Sequence, residues 1–149
     1  MHQSFKVNTS SSPKRLFEVL SDLSQYPNWL DLVDEADRVG SADDPPAWNV
    51  TLRAKLGPFA RSKKLRMVRT IAEDATHVRF ERSEVDDREH SPWVMDAQIV
   101  AGESPDTSSA TIELSYGGEL WSKALEAVLM SQVDDAEPRL RALAEQSSD

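Results

Sequence analysis

The chain has 149 residues, no cysteine and a formal net charge of −9, from 17 lysine and arginine residues against 26 aspartate and glutamate residues. The absence of cysteine excludes a disulfide framework, a thiolate nucleophile and a cysteine-ligated zinc site, and the acidic balance disfavours general binding to nucleic acid. The length fits one domain over residues 1–149 with a core of its own.

The sequence shows no sign of insertion into a membrane. No stretch reaches the roughly 18 apolar residues that a membrane-spanning helix needs, and the first residues, MHQSFKVNTSSSPKRLF, hold no apolar run typical of a signal peptide. We therefore expect a cytoplasmic protein. Transient contact with a membrane surface stays open. So does the choice between a monomer and a weak homodimer, because no heptad pattern demands a dimer.

The first elements in chain order are a strand and two short helices. Phe5 and Val7 alternate with polar neighbours, which predicts a short opening strand. The apolar spacing that follows predicts a helix from about Pro13 to Ser21, with the proline in its first turn. A second short helix is predicted from about Ser24 to Leu32, with Pro27 in its first turn.

After this helix pair the pattern changes to strands separated by turns. Apolar and polar residues alternate within most of these segments, as expected of strands with one buried face. The loops between them are too short for crossover helices, so the sheet is predicted to be antiparallel. The predicted strands are one ending at Val39-Gly40, Trp48 to Leu56, Lys63 to Ile71, His77 to Glu84, Trp93 to Ile99 and Ala110 to Tyr116.

A long amphipathic helix is predicted from Glu119 onward, and it would cover the apolar face of the sheet. Pro138 is predicted to kink or restart this helix, because its ring does not fit a helix interior. The apolar side consists of Leu120, Ala124, Leu125, Val128, Leu129, Val133, Ala136, Leu140 and Leu143.

Residues 11–30 read SSPKRLFEVLSDLSQYPNWL. This segment resembles the helix pair of the START-like or Bet v 1-like (SRPBCC) superfamily, in particular its bacterial polyketide cyclase/dehydrase-like branch. There a small residue and a proline open the first helix, and a Tyr-Pro-x-Trp phrase marks the second. The order of the predicted elements extends the resemblance over essentially the whole chain.

The resemblance implies an α+β helix-grip fold, in which a curved seven-stranded antiparallel sheet surrounds a long C-terminal helix and two short helices follow the first strand. It also implies an internal cavity between the sheet and that helix. Members of the superfamily bind lipids, sterols, polyketides, plant hormones or flavonoids, and only some are catalytic. The Tyr-Pro-x-Trp phrase indicates the fold and says little about the substrate.

The strand alternation gives a candidate lining for such a cavity, because one apolar face would point at the final helix. The alternative, left open here, is that the same side chains simply fill the core. The apolar candidates for ligand binding are Leu52, Ala54, Met67, Phe80, Met95, Leu114, Leu125 and Leu129.

Four polar or aromatic residues complete the candidate ligand-binding set. On one choice of register Arg69 and Arg82 share a face with apolar residues, where a guanidinium would hold a carboxylate, phosphate or enolate oxygen. The alternative places both on the wet convex face, or at the cavity rim with an internal glutamate. Tyr116 and Trp121 would orient a ligand through a phenol or an indole N–H, or would serve only as packing residues.

A basic run lies between Asn49 and Ala72, which contains no acidic residue. It would suit an acidic partner or a lipid head-group surface. The alternative is a solvated face, neutralised by cross-strand pairs with acids of the adjacent strand and loop. The basic residues are Arg53, Lys55, Arg61, Lys63, Lys64, Arg66 and Arg69, and the acids are Glu81, Glu84, Asp86, Asp87 and Glu89.

The sequence predicts no metal site and no cofactor. The three histidines are scattered, and neither a phosphate-binding loop nor a Gly-x-Ser-x-Gly motif occurs. No catalytic constellation is evident, and catalytic residues stay unknown. We expect a binder or carrier of a hydrophobic or amphipathic small molecule, lipid or polyketide-like. The alternatives are a polyketide cyclase/dehydratase-like enzyme using the same cavity and a partner-docking protein without a ligand.

Overall fold

A computed structural model describes residues 1–56, 58–118 and 122–146, without the side chains of residues 56, 59 and 122. Most strands follow one another directly in the chain, with no helix between them. In chain order they are β1 (His2–Thr9), α1 (Pro13–Leu20), a 3₁₀ helix (Leu23–Asn28), β2 (Val33–Val39), β3 (Ala47–Leu56), β4 (Phe59–Glu73), β5 (His77–Arg82), β6 (Trp93–Ala101), β7 (Ser108–Tyr116) and α2 (Ser122–Glu145).

Within the described residues, the seven strands form one sheet in the order β1-β7-β6-β5-β4-β3-β2, and all neighbours are antiparallel. The sheet is curved, and α1, the 3₁₀ helix and α2 lie on its concave side. The structure therefore confirms the prediction of an α+β helix-grip fold. No helix in these ranges has the length and apolarity needed to cross a membrane.

Helix α1 forms where the sequence predicts it. The Ser12 side chain caps its first turn by accepting a hydrogen bond from the Arg15 backbone N–H at 3.1 Å, and Pro13 occupies the first turn. The helix buries Leu16, Val19 and Leu20 against the sheet.

The second helix differs from its prediction, since it is a 3₁₀ helix that ends at Asn28 and not an α-helix that continues to Leu32. Pro27 lies inside it and not in its first turn. Because proline has no N–H to donate, the tighter i to i+3 pattern is used instead. The Trp29 N–H closes the last turn on the Tyr26 carbonyl at 3.0 Å.

Two strand ends also differ from their predictions. Strand β4 begins at Phe59 and not at Lys63, because it pairs along the full second half of β3. Strand β5 ends at Arg82 and not at Glu84. The Glu84 carboxylate accepts the Arg66 backbone N–H at 3.0 Å, so a side chain takes the place of the next ladder bond.

Helix α2 continues without interruption across Pro138, so the restart predicted there is wrong. Pro138 removes one backbone hydrogen bond, but burial of Ala136 and Leu140 on either side holds both flanking turns against the body of the protein. The predicted helix start at Glu119 and Leu120 lies outside the described residues.

Candidate functional site

The concave face of the sheet has two halves with different covers. One half, here called the helix-pair half, lies beneath α1 and the 3₁₀ helix, and its centre is a cluster of Tyr26, Trp29, Trp48 and Phe80. Edge-on contacts join Phe80 to Tyr26 and Trp48, with ring centroids 5.9 and 5.5 Å apart. All four side chains are buried, which is typical of a close-packed core.

The other half, here called the α2 half, lies at the end of the sheet that faces the N-terminal part of α2. Gln132 of α2 accepts the Leu32 backbone N–H at 2.8 Å, which fixes the helix across this end. Leu125 and Leu129 are buried and face the sheet. The strand residues of this half are Leu52, Ala54, Lys63, Trp93, Met95, Leu114 and Tyr116.

All eight apolar candidates for ligand binding are buried. The register places Phe80 opposite Met95 and Met95 opposite Leu114, so these three share the concave face as predicted. Their surroundings differ, however. Phe80 belongs to the aromatic cluster of the helix-pair half, and Met67, which lies opposite Trp48, borders that cluster. The structure therefore divides the predicted lining between the two halves.

Arg82 lies on the concave face, opposite Met67, and its side chain is only 8% exposed. Its Nε donates to Glu84 Oε1 at 2.9 Å, and its two other nitrogens donate to the Ser91 carbonyl at 3.3 Å and to His90 Nδ1 at 3.2 Å. Arg82 therefore pairs with an internal glutamate and does not lie on the wet convex face. The donors of Arg82 are committed to the protein itself.

This hydrogen-bonded chain continues to the surface. His90 lies with Nε2 at 2.8 Å from Asp86 Oδ1. Because Arg82 can only donate hydrogen bonds, Nδ1 of His90 accepts one from it. Nε2 therefore carries the ring hydrogen and donates a hydrogen bond to Asp86. That hydrogen bond, with a second from the Arg88 backbone N–H, holds the pKa of Asp86 below its ordinary value.

Arg69 lies in the helix-pair half, well away from the α2 half. Its Nη1 donates to the Ser21 carbonyl at 3.0 Å, and partial burial together with the charge of Arg38 lowers the pKa of Arg69. It lines a surface hollow of about 320 Å³ with Trp48 and residues of the 3₁₀ helix region. Among the described residues, no hydrogen bond joins Arg69 or Arg82 to Tyr116.

Lys63 is the site residue that the sequence analysis missed. The register puts it opposite Leu52, on the concave face, and its Nζ lies 5.1 Å from the ring centroid and 3.5 Å from the hydroxyl of Tyr116. The signal was present, since Lys63 has the same strand parity as Leu65 and Met67. Its position at the predicted start of β4, within a basic run, concealed it.

Four residues of the basic run are exposed, as the solvated-face alternative expects: Arg53, Lys55, Arg61 and Lys64. The salt bridges that this alternative adds, with acids of β5 and the following loop, are not among the described contacts of this run. Within the described ranges none of its seven residues forms a salt bridge. Glu81 and Glu84 pair instead with Arg79 and Arg82. Alternation divides the run between the two faces of the sheet: Arg61 and Lys63 are concave, and Arg53, Lys55, Lys64 and Arg66 are convex.

Trp93 and Tyr116 lie side by side on the concave face, with ring centroids 5.2 Å apart. Trp93 is 2% exposed, and its indole N–H has no hydrogen-bond partner among the described residues. A Cβ built on Gly118 would meet the Tyr116 hydroxyl oxygen at 2.1 Å, so any larger residue here would displace this phenol. Trp121, the remaining candidate, lies outside the described residues.

A groove of about 410 Å³ opens at the surface between β3 and α2. Here β3 extends past the end of its pairing with β2 at Leu52, so its edge faces α2 without a strand between them. The groove is lined by Asp31, Asp34, Arg53, Lys55, Val128, Ser131 and Gln132.

No protein-family model matches the chain, and no curated protein matches it. Solved structures do. A START superfamily protein from Mycobacterium smegmatis has a TM-score of 0.68 at 14% identity, covering 97% of each chain. The di-domain ARO/CYC StfQ from the steffimycin biosynthetic pathway has a TM-score of 0.68 at 8% identity, covering 97% of this chain and 50% of the other.

Ara h 8.0201 has a TM-score of 0.60 at 12% identity, covering 97% of each chain. At such identities the likeness shows the fold alone. The chain therefore has a START/Bet v 1-like fold, and the resemblance inferred from residues 11–30 and the element order is confirmed at the level of fold.

Proposed function

We propose that this chain, with its START/Bet v 1-like fold, binds and carries a hydrophobic or amphipathic small molecule between the α2 half of the sheet and α2 itself. One observation carries the proposal. Among the described residues, α2 lies against β1 and β3, the strands on either side of the four central strands β7, β6, β5 and β4. A helix that spans a concave sheet in this way favours enclosed space over its centre.

The lining of that space suits an apolar ligand. Met95, Leu114 and Leu52 supply aliphatic and thioether surface, and Leu125 and Leu129 face them from α2. A ligand gains about 0.8 kcal/mol for each methylene group that it transfers from water to such surroundings. Methionine adapts to ligand shape because its side chain is unbranched. The groove between β3 and α2 is the proposed route of entry.

A carrier is preferred to a polyketide cyclase/dehydratase-like enzyme because two ionisable residues that could act in acid-base catalysis, Arg82 and His77, are engaged by other groups of the protein. The donors of Arg82 bind Glu84, Ser91 and His90. His77 lies on the convex side, with Nε2 at 2.7 Å from Asp96 Oδ2. General acid-base catalysis needs such groups within reach of the substrate.

The cytoplasm is the proposed location.

Binding of a neutral fluorescent probe tests this proposal. N-phenyl-1-naphthylamine fluoresces when it enters apolar surroundings, and we expect saturable binding at one site per chain. Ligands that displace the probe should also raise the melting temperature by mass action. A protein that neither binds the probe nor is stabilised by any member of a lipid and polyketide panel contradicts the proposal and favours a partner-docking role.

A further inference from the structure

We infer that the ligand is a monoanionic amphiphile whose carboxylate binds Lys63 and the Tyr116 hydroxyl, while its apolar part extends along Met95 and Leu114. This inference rests on the proposed function. The inference adds to the proposed function the chemical class of the ligand and the residues that bind the ligand's head group.

The first step is the state of Lys63. It is partly buried on the concave face, opposite Leu52 and next to Leu65 on that face, and in the described part of the chain no carboxylate lies within salt-bridge distance of it. Its partners are the π-face and hydroxyl of Tyr116. A cation–π contact compensates part of the cost of desolvation, but the 3.5 Å hydrogen bond is at the long limit for such bonds. Lys63 therefore has ammonium hydrogens free for a stronger acceptor.

The second step is the direction of the Tyr116 hydroxyl. Because an ammonium can only donate, Tyr116 Oη accepts from Lys63, and its own hydrogen is free to donate to a third group. A side chain at position 118 would displace this phenol, whereas Gly118 leaves room for it. Two donors, one of them charged, thus lie next to each other, and a carboxylate offers two acceptor oxygens.

The third step is Trp93. Its buried indole N–H has no partner among the described residues, and a buried donor without an acceptor costs about 1–3 kcal/mol. Trp29 carries a second unpartnered indole N–H, so this property alone does not mark a site. Trp93 differs because its ring lies against Tyr116, within the same cluster as Lys63. We assign it the role of a third donor to the head group.

The charge of the cluster selects a monoanion. Arg82 is already paired with Glu84, and Arg61, one concave position beyond Lys63, is exposed to solvent. That leaves one ammonium group within the cluster. A carboxylate balances a single positive charge, whereas a phosphate monoester carries about −1.5 to −2 at neutral pH.

Displacement of N-phenyl-1-naphthylamine by laurate and by 1-dodecanol tests the inference. The two ligands share a twelve-carbon chain and differ in the head group, and the probe is neutral. We expect wild-type protein at pH 8 to bind laurate about tenfold more tightly than dodecanol, as one charge-assisted hydrogen bond provides. Lys63→Met should abolish this preference and retain the binding of the probe and of dodecanol.

Lys64→Met is the matched control. It makes the same change of charge and side chain one residue along β4, at an exposed position on the convex face opposite Thr51, so it should keep the preference for laurate. Equal affinity of wild-type protein for the two ligands, or an unchanged preference in Lys63→Met, overturns the inference and leaves the proposed function standing. Failure of wild-type protein to bind the probe and both ligands overturns the proposed function itself.

Discussion

The two halves of the concave face are built from the same strands, yet they are closed in different ways. In the helix-pair half the protein itself provides partners for two of the three polar ring groups: the Tyr26 hydroxyl donates to the Leu20 carbonyl at 2.8 Å, and the Trp48 indole donates to Ser24 Oγ at 3.1 Å, whereas the Trp29 indole N–H has no partner among the described residues. In the α2 half the ammonium of Lys63 contacts the phenol of Tyr116, and the described residues provide no carboxylate to pair with it.

This difference teaches that one sheet can carry both a folding core and a candidate ligand site. The helix-pair half is covered by helices that follow β1 directly in the chain, and it packs aromatic rings against one another. In the described residues the α2 half is covered by the last helix, which lies against β1 and β3. We expect stability to reside mainly in the first half and binding in the second.

The largest expected effect comes from truncating one leucine in each half. Leu20→Ala on α1 and Leu125→Ala on α2 make the same change at buried helical positions. We expect Leu20→Ala to lower the free energy of unfolding by about 4–5 kcal/mol and Leu125→Ala by about 2–3 kcal/mol, because a side chain beside open space has fewer contacts to lose. Urea denaturation measures both values. An equal or reversed order would contradict the division between the halves.

A smaller effect on stability is expected from enlarging one buried alanine in each half. Ala97→Leu enlarges a buried side chain on β6, a strand that α1 approaches, and Ala54→Leu does the same on β3 in the α2 half. Overpacking should cost Ala97→Leu about 1–3 kcal/mol of stability, and Ala54→Leu less than about 1 kcal/mol. Ala54→Leu should instead weaken binding of the naphthylamine probe. If Ala54→Leu is the more destabilising variant and binds the probe normally, the α2 half is close-packed.

The two tyrosines provide a third comparison. Tyr26→Phe removes a buried hydrogen bond and should cost about 1–1.5 kcal/mol, measured by thermal or urea denaturation. Tyr116→Phe removes only the long contact with Lys63, so it should leave stability within about 0.5 kcal/mol of wild type. It should reduce laurate affinity about threefold. Loss of stability without loss of affinity in Tyr116→Phe would make this phenol a core residue.

Tyr26 also predicts an alkaline dependence of stability. Burial, more than the nearby Asp22 and Asp96 charges, raises the pKa of Tyr26 above the ordinary value of 10.0. Above pH 10 the Tyr26 phenol therefore stays protonated in the folded state but loses its proton in the unfolded state. Its contribution to the free energy of unfolding is fully present below pH 10 and falls as the pH rises above that value. Tyr26→Phe should show a flatter decline between pH 9 and 11, and an identical decline would exclude this cause.

A modest effect on stability is expected of Gly118→Ala, which crowds the Tyr116 hydroxyl. We expect a loss of about 1 kcal/mol or less, together with loss of the preference for laurate over dodecanol. Gly102→Ala is the matched control, because its new methyl group meets Thr107 Oγ1 at the same 2.1 Å distance in a loop outside the site. An equal effect of both variants on ligand preference would rule out a specific role for the position of Tyr116.

Much of the fold could be predicted from the sequence, because local patterns specify it. The period of two in β3 and the Ser12-Pro13 start of α1 are local signals, and the structure confirms both elements. The start of β4 could not be found in this way, since cations alternate onto both of its faces and hide the apolar pattern. The 3₁₀ helix and the uninterrupted course of α2 depend on packing around Pro27 and Pro138.

The candidate site was harder to predict than the fold. The apolar lining follows from strand parity, but the contact between Lys63 and Tyr116 joins β4 to β7 across two intervening strands. Such a contact depends on the curvature of the sheet, which no single segment encodes. The same holds for Arg82, whose partner Glu84 is close in sequence but whose burial depends on the loop that carries His90 and Ser91.

The central claim is that the α2 half binds an amphiphile with one carboxylate. Native mass spectrometry of protein purified from its own host, followed by extraction of the ligand and by incubation of the stripped protein with laurate, tests it most directly. We predict one small carboxylic acid per chain after purification and one laurate per chain after incubation, with laurate occupancy reduced in Lys63→Met and unchanged in Lys64→Met. A spectrum that shows only the unliganded mass before and after incubation would contradict the claim.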